Sequence, residues 1–273
     1  MKPVIIQKGE GPIILGQPHC GTYIPDEITD QLNDFGHQLS DTDWHVDQLY
    51  DGLLGSASIV RANFHRYVID ANRDPSGKSL YPGENTTGLV PLVDFENRPI
   101  WKTDPDADEV ERRRKMFHAA YHKALSEEID RVKSTHGIAI VFDCHSIRSE
   151  LPFLFDGKLP DLNIGTNDGA TCSAEIEDMV SKPCADTAKY SYVVNGRFKG
   201  GWTTRNYGRP AAGVHAIQME IAQRCYLACE TSPFLFDEKK AEHLRGLLGQ
   251  ILRRLEGVAR SGKIEWSNSC RID

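Results

Sequence analysis

Gly137-Ile138-Ala139-Ile140-Val141-Phe142-Asp143-Cys144-His145-Ser146 decides how the rest of the chain is read. A glycine opens a run of five apolar residues, and an acid and a histidine break it. That pattern predicts a strand buried on both faces, as in the parallel sheets of α/β proteins, with its chemistry at the C-terminal end. Open α/β sheets bind their ligands at that end. Side chains alternate along a strand, so Asp143 and His145 share one side, and Cys144 and Ser146 the other. A carboxylate beside an imidazole fixes its tautomer and strengthens it as a metal ligand. An ordinary strand-end histidine gives the same local pattern, so the flanking elements must decide.

Immediately upstream, Pro105 to Ser134 reads as a long helix. Proline lies near its first turn, and Val110, Phe117, Tyr121, Ala124, Leu125, Ile129 and Val132 form one stripe. Further back, residues 12 to 15 predict a first buried strand ending in the turn Gly16-Gln17-Pro18-His19-Cys20-Gly21, which delivers His19. A helix is expected from Asp41, its N-cap, to Leu54, and two short strands near 57–60 and 67–70. Residues 74 to 104 hold prolines and glycines without apolar periodicity; a loop of that length is expected to cover the site. Downstream, 151–155, 162–165 and 191–194 read as extended and 173–179 as helical. Residues 200–210 read as a glycine-rich loop and Val214 to Ile221 as a strand carrying Gln218 and Glu220 on one face. A final helix spans Asp237 to Val258. Strands interspersed with helices imply a three-layer α/β/α sandwich around a mostly parallel or mixed sheet, as a single domain over residues 1–273.

The 273 residues, 40% hydrophobic and 26% charged, suffice for one sizeable core. A net charge of -7 argues against nucleic acid or an acidic membrane as partner. An anionic substrate must therefore be drawn by local arginines. The seven cysteines (Cys20, Cys144, Cys172, Cys184, Cys225, Cys229 and Cys270) lack the paired spacing of zinc ribbons, which favours reduced thiols in a cytoplasmic protein. The first residues lack the apolar run of a signal peptide, and no stretch reaches transmembrane length.

His19, Asp70-Ala71-Asn72-Arg73, Asp143-Cys144-His145 and Glu220 all fall at expected strand ends. Gathered on one sheet edge, they would supply two imidazoles, a base and an anion clamp. Zinc held by two histidines and a carboxylate, with one position open to water, is a recurrent catalytic arrangement. Asp43 is the first choice for the carboxylate, and Asp47, one turn on, is the alternative; a capping or first-turn charge is the plainer role for Asp43.

The chain resembles the N-formylglutamate amidohydrolase family from Pro18-His19-Cys20-Gly21 to Glu220-Ile221. The motifs between are Asp41-Thr42-Asp43-Trp44-His45-Val46-Asp47, His65-Arg66-Tyr67-Val68-Ile69-Asp70-Ala71-Asn72-Arg73, Asp143-Cys144-His145-Ser146 and Arg205-Asn206-Tyr207-Gly208. The family is in turn similar to the zinc carboxypeptidase and aspartoacylase superfamily, with a zinc-exopeptidase, phosphorylase/hydrolase-like fold. The resemblance implies a metal-dependent hydrolase releasing formate from N-formyl-L-glutamate, the last step of one histidine-degradation route. It implies one divalent ion, zinc with cobalt or iron as substitutes, on His19, His145 and an acid. It also implies Asn72-Arg73 as carboxylate clamp, Glu220 as base, and Arg66 as the group polarising the scissile carbonyl. Where the wider superfamily has glutamate three residues after the first histidine, this chain has Thr22; the acid is then expected from Asp43. A substrate with two carboxylates calls for a second guanidinium, assigned to Arg205 with Arg148 and Arg209 in reserve.

Other polar residues have structural readings. His118 and His122 lie one turn apart but lack the glutamate of a His-Glu-x-x-His site, so they read as helix-surface or boundary residues. His45 and His65 adjoin motif positions. Cys144 points away from His145 and reads as a buried structural thiol, and Ser146 has no nucleophile-elbow glycines. Two competing functions are a deacylase or exopeptidase for another N-acyl amino acid, and a non-catalytic binder of acidic acyl amino acids.

Overall fold

A computed structural model describes residues 2–262; Cys270 lies outside them. Seven strands form one mixed sheet: β1 (Val4–Gln7), β2 (Ile13–Gln17), β3 (Ser58–Ala62), β4 (Ala139–Ile147), β5 (Leu162–Gly165), β6 (Tyr192–Val194) and β7 (Val214–Ala222). Their order is β1-β3-β2-β4-β7-β5-β6. The centre β3-β2-β4-β7 is parallel, while β1 and β5 join antiparallel to β3 and β7. All nine residues of both β4 and β7 are buried, as a strand covered by helices on both faces must be.

Alternation along β4 sorts the core into two layers. Ile140, Phe142 and Cys144 join one apolar cluster with Leu244, Leu248, Ile251 and Leu255, whereas Ala139 and Val141 join the other with Tyr121, Leu125 and Ile129. The first layer is built by α2 (Val46–Tyr50), α5 (Ala174–Asp186) and α7 (Glu238–Ser261). The second is built by α3 (Ala107–Arg113), one π turn (Arg114–His118) and α4 (Ala119–His136). The short α1 (Asp26–Thr29) and α6 (Trp202–Tyr207) complete the α-helices of the described residues. Each large aliphatic side chain buried in these layers contributes about 1.5–3 kcal/mol. Asp106, Ser173 and Asp237 cap α3, α5 and α7 by accepting backbone N–H bonds, and Gly137 ends α4 at φ 75°, a left-handed position that suits glycine.

Four local expectations are corrected. The helix expected from Asp41 starts only at Val46, because the Asp41 carboxylate accepts from Tyr67 Oη and Phe95 N instead of capping, and His45 turns left-handed at φ 58°. Residues 67–70 are a turn, not a strand: Val68 N donates to His65 O and Asp70 N to Leu89 O. Residues 151–155 also turn, with Leu154 N and Phe155 N both on Leu151 O. The glycine-rich stretch contains α6, opened at Gly201. Among the described residues, no helix is long and apolar enough to cross a membrane, and the six described cysteines are unpaired.

Candidate active site

Because β2, β4 and β7 are adjacent and parallel, their C-terminal ends leave the sheet along one edge. His19 lies just beyond β2, and His145 is directly opposite Glu220 across the β4–β7 pair. Asp43 approaches from the loop before α2, where its N–H donates to His19 O at 3.1 Å. Three buried ligand atoms thereby converge. His19 Nδ1 is 3.2 Å from His145 Nδ1, and Asp43 Oδ2 is 3.2 Å from His145 Nδ1 and 3.8 Å from His19 Nδ1. Tetrahedral zinc ligands at ordinary bond lengths sit about 3.3 Å apart, so this triangle has the dimensions of a metal site.

The outer ring nitrogens point the same way. His19 Nε2 lies 2.7 Å from Asp70 Oδ1 and His145 Nε2 lies 3.1 Å from Asp143 Oδ2. A carboxylate on each Nε2 holds the proton there and leaves the Nδ1 lone pairs facing one another, the arrangement of carboxylate-supported metal histidines. Burial opposes charge on His145, yet Asp143, Asp43 and Glu220 overcome it and hold its pKa well above the usual value. Burial and the Arg66 charge push His19 down. Among the described residues, His19, Asp43 and His145 form the group with metal-ligand spacing. The alternative acid, Asp47, is 42% exposed and pairs with Arg61 at 2.8 Å. Thr22, where the wider superfamily has its glutamate, faces solvent.

Arg66 Nη2 donates to Asp43 Oδ1 at 2.7 Å, and its Nη1 lies 3.9 Å from Asp70 Oδ2. Burial opposes ionisation of Asp43, but Arg66, His145 and His19 outweigh it and keep the carboxyl below its usual range. Glu220 is the opposite case. Burial first, then the neighbouring charges of Asp43 and Asp143, push it up to about 8, against the pull of His145 and Arg66. Its carboxylate accepts from Gln218 Nε2 at 3.2 Å. A carboxyl poised near neutrality beside a metal-type triangle can take and return a proton.

These residues open onto a cleft whose walls include His19, Arg66, Asn72, Arg73, His145 and Glu220. The 74–104 segment covers it with Tyr81, Asn85, Thr86, Thr87 and Phe95. Asn72 is held closely: Thr203 N donates to its Oδ1 at 2.8 Å, and its own backbone N donates to Asp70 Oδ1 at 2.8 Å. A Cβ on Gly201 would sit 2.3 Å from Asn72 Nδ2. Gly201→Ala is therefore expected to displace Asn72 and reduce kcat/KM by on the order of 10²-fold, with circular dichroism unchanged. Steady-state kinetics beside a thermal melt check this.

Arg205 is not brought to the cleft. It donates to Gly200 O and Leu80 O from α6 and stacks against Tyr81. Arg148 is engaged with Asp41 and Glu96, and Arg209 with carbonyls of Arg205 and Gly208. The arginine that does line the cleft beside Arg66 and Arg73 is Arg197; nothing in its local sequence marks it out. Asp70 gains its place under His19 only in three dimensions.

His118 is buried and His122 half-buried, so of the two readings the boundary one fits. Their Nε2 atoms meet the carbonyls of Arg73 and Ala71 at 3.0 and 2.8 Å, clasping the backbone on both sides of Asn72. The π turn that ends at His118 lies in this part of the helix. His65 contacts Thr42 Oγ1, and His45 contacts Phe234 O. Burial raises the Cys144 thiol well above its usual value, which suits an inert core residue.

Burial and His118 push His122 down to about 3, and burial pushes His215 down to about 4. Both are neutral in the fold and bind protons in the unfolded chain below about pH 6.5. Their stabilisation is whole above that pH and is lost as pH falls toward 3, at most about 1.4 kcal/mol per unit and group. Between pH 7 and 4.5 the urea midpoint of His122→Gln should therefore gain on that of the unaltered protein, because the variant no longer carries the His122 penalty.

Residues 11–227 match the family model described as N-formylglutamate amidohydrolase. The N-formylglutamate deformylase of Pseudomonas putida is 43% identical over 258 residues, covering 93% of this chain and 96% of that protein. That of Pseudomonas aeruginosa is 41% identical over 253 residues, covering 91% and 94%. The crystal structure of N-formylglutamate amidohydrolase from Ralstonia eutropha JMP134 superposes with a TM-score of 0.79 at 26% identity, covering 96% of this chain and all of that one. A gene product of Agrobacterium tumefaciens shares the fold, with a TM-score of 0.71 at 18% identity over 94% of this chain and 96% of its own. With a sequence match that spans every element of the site from β2 to β7, the chain belongs to the N-formylglutamate amidohydrolase family.

Proposed function

We propose that the protein hydrolyses N-formyl-L-glutamate to formate and L-glutamate, closing one route of histidine breakdown. The observation that carries this reading is the convergence of His19 Nδ1, His145 Nδ1 and Asp43 Oδ2 beside the buried Glu220. Two imidazoles and a carboxylate suit zinc, with cobalt or iron(II) acceptable to the same donors. A divalent cation held there supplies Lewis acidity, polarising a carbonyl and lowering the pKa of a bound water from about 16 toward about 7.

The chain's own groups do the rest. Glu220 accepts the proton of the attacking water as the C–O bond forms, and returns it to the nitrogen as the C–N bond breaks. Arg66, fixed by Asp43 and Asp70, places positive charge beside the carbonyl oxygen where negative charge grows. Asn72 and Arg73 receive the α-carboxylate. Arg73 is oriented for this by Nε on Thr87 O at 2.9 Å and Nη2 on Thr87 Oγ1 at 3.1 Å. The half-enclosed cleft limits water around the reacting atoms, which strengthens each of these charges.

Purified protein is expected to release one formate per N-formyl-L-glutamate. Dialysis against a chelator should stop release, and zinc, cobalt or iron(II) should restore it. Formate production that is absent with every metal would sink the proposal; production that survives complete metal removal would sink its metal-dependent part.

A further inference from the structure

We infer that Arg197 is the specificity residue for the substrate's distal carboxylate, and that Glu84 occupies its guanidinium until substrate arrives. The inference rests on the hydrolase reading above and names the second anion site that reading requires.

Three guanidiniums line the cleft, those of Arg66, Arg73 and Arg197. Arg66 has buried counter-ions in Asp43 at 2.7 Å and Asp70 at 3.9 Å, and Arg73 stands 3.8 Å from Asp70. Arg197 has a different counter-ion. Its carboxylate partner is Glu84, at 2.8 Å, and Glu84 is 49% exposed while Arg197 is only 16% exposed. An ion pair with one half-exposed member is screened and easily exchanged. A γ-carboxylate is the same chemical group as the Glu84 side chain, so the exchange is like for like.

The guanidinium is prepared to receive it. Nε donates to Leu154 O at 3.0 Å and Nη2 to Asn85 O at 2.9 Å, which sets its plane from two separate segments. The rings of Tyr81 and Phe198 lie 5.4 and 5.3 Å from Cζ. Tyr81 is itself anchored, its hydroxyl donating to Gly200 O at 2.9 Å. A guanidinium has five N–H donors. Leu154, Asn85 and Glu84 engage three, so two remain, and a third is released when Glu84 leaves. Two or three coplanar donors are what a carboxylate uses for paired hydrogen bonds.

The test compares N-formyl-L-glutamate with N-formyl-L-glutamine, which differ only in the distal group, in the unaltered protein, Arg197→Met, Arg197→Lys and Glu84→Gln. Arg197→Met should lower kcat/KM for the glutamate substrate by on the order of 10- to 100-fold, chiefly through KM. Its loss on the glutamine substrate should be much smaller, so the preference between them collapses. Arg197→Lys should recover part of that preference, and Glu84→Gln should lower KM for N-formyl-L-glutamate a few-fold. Equal losses on both substrates, or none, in Arg197→Met would overturn the assignment, and an unchanged KM in Glu84→Gln would overturn the role of Glu84. Calorimetric binding of L-glutamate against L-glutamine to the same proteins reads Arg197 without turnover. A glutamate preference lost in Arg197→Met supports the site even if formate release fails, and a preference that survives overturns it.

Discussion

Glu220→Gln is expected to cut kcat by about 10³-fold, within the range that positioned proton transfer supplies, while leaving metal content and melting temperature intact. Glutamine keeps the shape of glutamate and can still meet Gln218, so the fold has no reason to change. Burial and two nearby aspartates already make the ionised Glu220 costly, pushing it up to about 8, and the neutral amide removes that cost. A melting temperature equal to or above that of the unaltered protein is therefore expected. The proposed ligand atoms lie on His19, Asp43 and His145 and are untouched. Elemental analysis should find the same metal stoichiometry, and formate assays almost no turnover. In the unaltered enzyme, activity should rise with pH as Glu220 loses its proton. A nearby divalent charge favours the carboxylate, so the midpoint should fall below 8. Normal turnover in Glu220→Gln would end the base assignment.

Asp43→Asn is expected to remove both the metal and a large part of the stability. The carboxylate accepts from Arg66 Nη2 at 2.7 Å and Ser146 N at 3.1 Å while its Oδ2 faces both imidazoles. Asparagine preserves the outline but not the charge, leaving Arg66 buried with Asp70 Oδ2 at 3.9 Å as its nearest carboxylate oxygen. Removing one member of a buried ion pair costs about 3–5 kcal/mol, a drop of about 10 °C in Tm for a domain of this size. Metal stoichiometry should approach zero and activity should vanish with it. Full metal occupancy together with an unchanged Tm would show that Asp43 is neither ligand nor counter-ion.

How much of this could be read in the chain follows from the range of the forces involved. β4, β7, α4 and α7 were legible because burial imposes a period on apolar residues whatever the neighbours are. Asp143 and His145 sharing a side is the same geometry carried two residues further. The turn at 67–70, the late start of α2 and the helix inside 200–210 were misread because distant partners set those backbones. Leu89 O takes Asp70 N, the Asp41 carboxylate is drawn to Tyr67 and Phe95, and Asn72 accepts the N–H groups at the head of α6. Arg205 followed from the last error: once its segment coils into a helix, its guanidinium turns to Leu80 and Gly200.

By itself, then, the sequence determined the layered α/β architecture and the pair of strand ends that carry His145 and Glu220, since strand and helix periodicity depend only on local spacing and the demand for burial. Tertiary structure alone decided that Asp43 rather than Asp47 lies against His19 and His145, that Asp70 backs His19, and that Arg197 rather than Arg205 faces the cleft. Each of those choices turns on which partners a charged side chain finds, and partners far away in the chain leave no trace in local spacing.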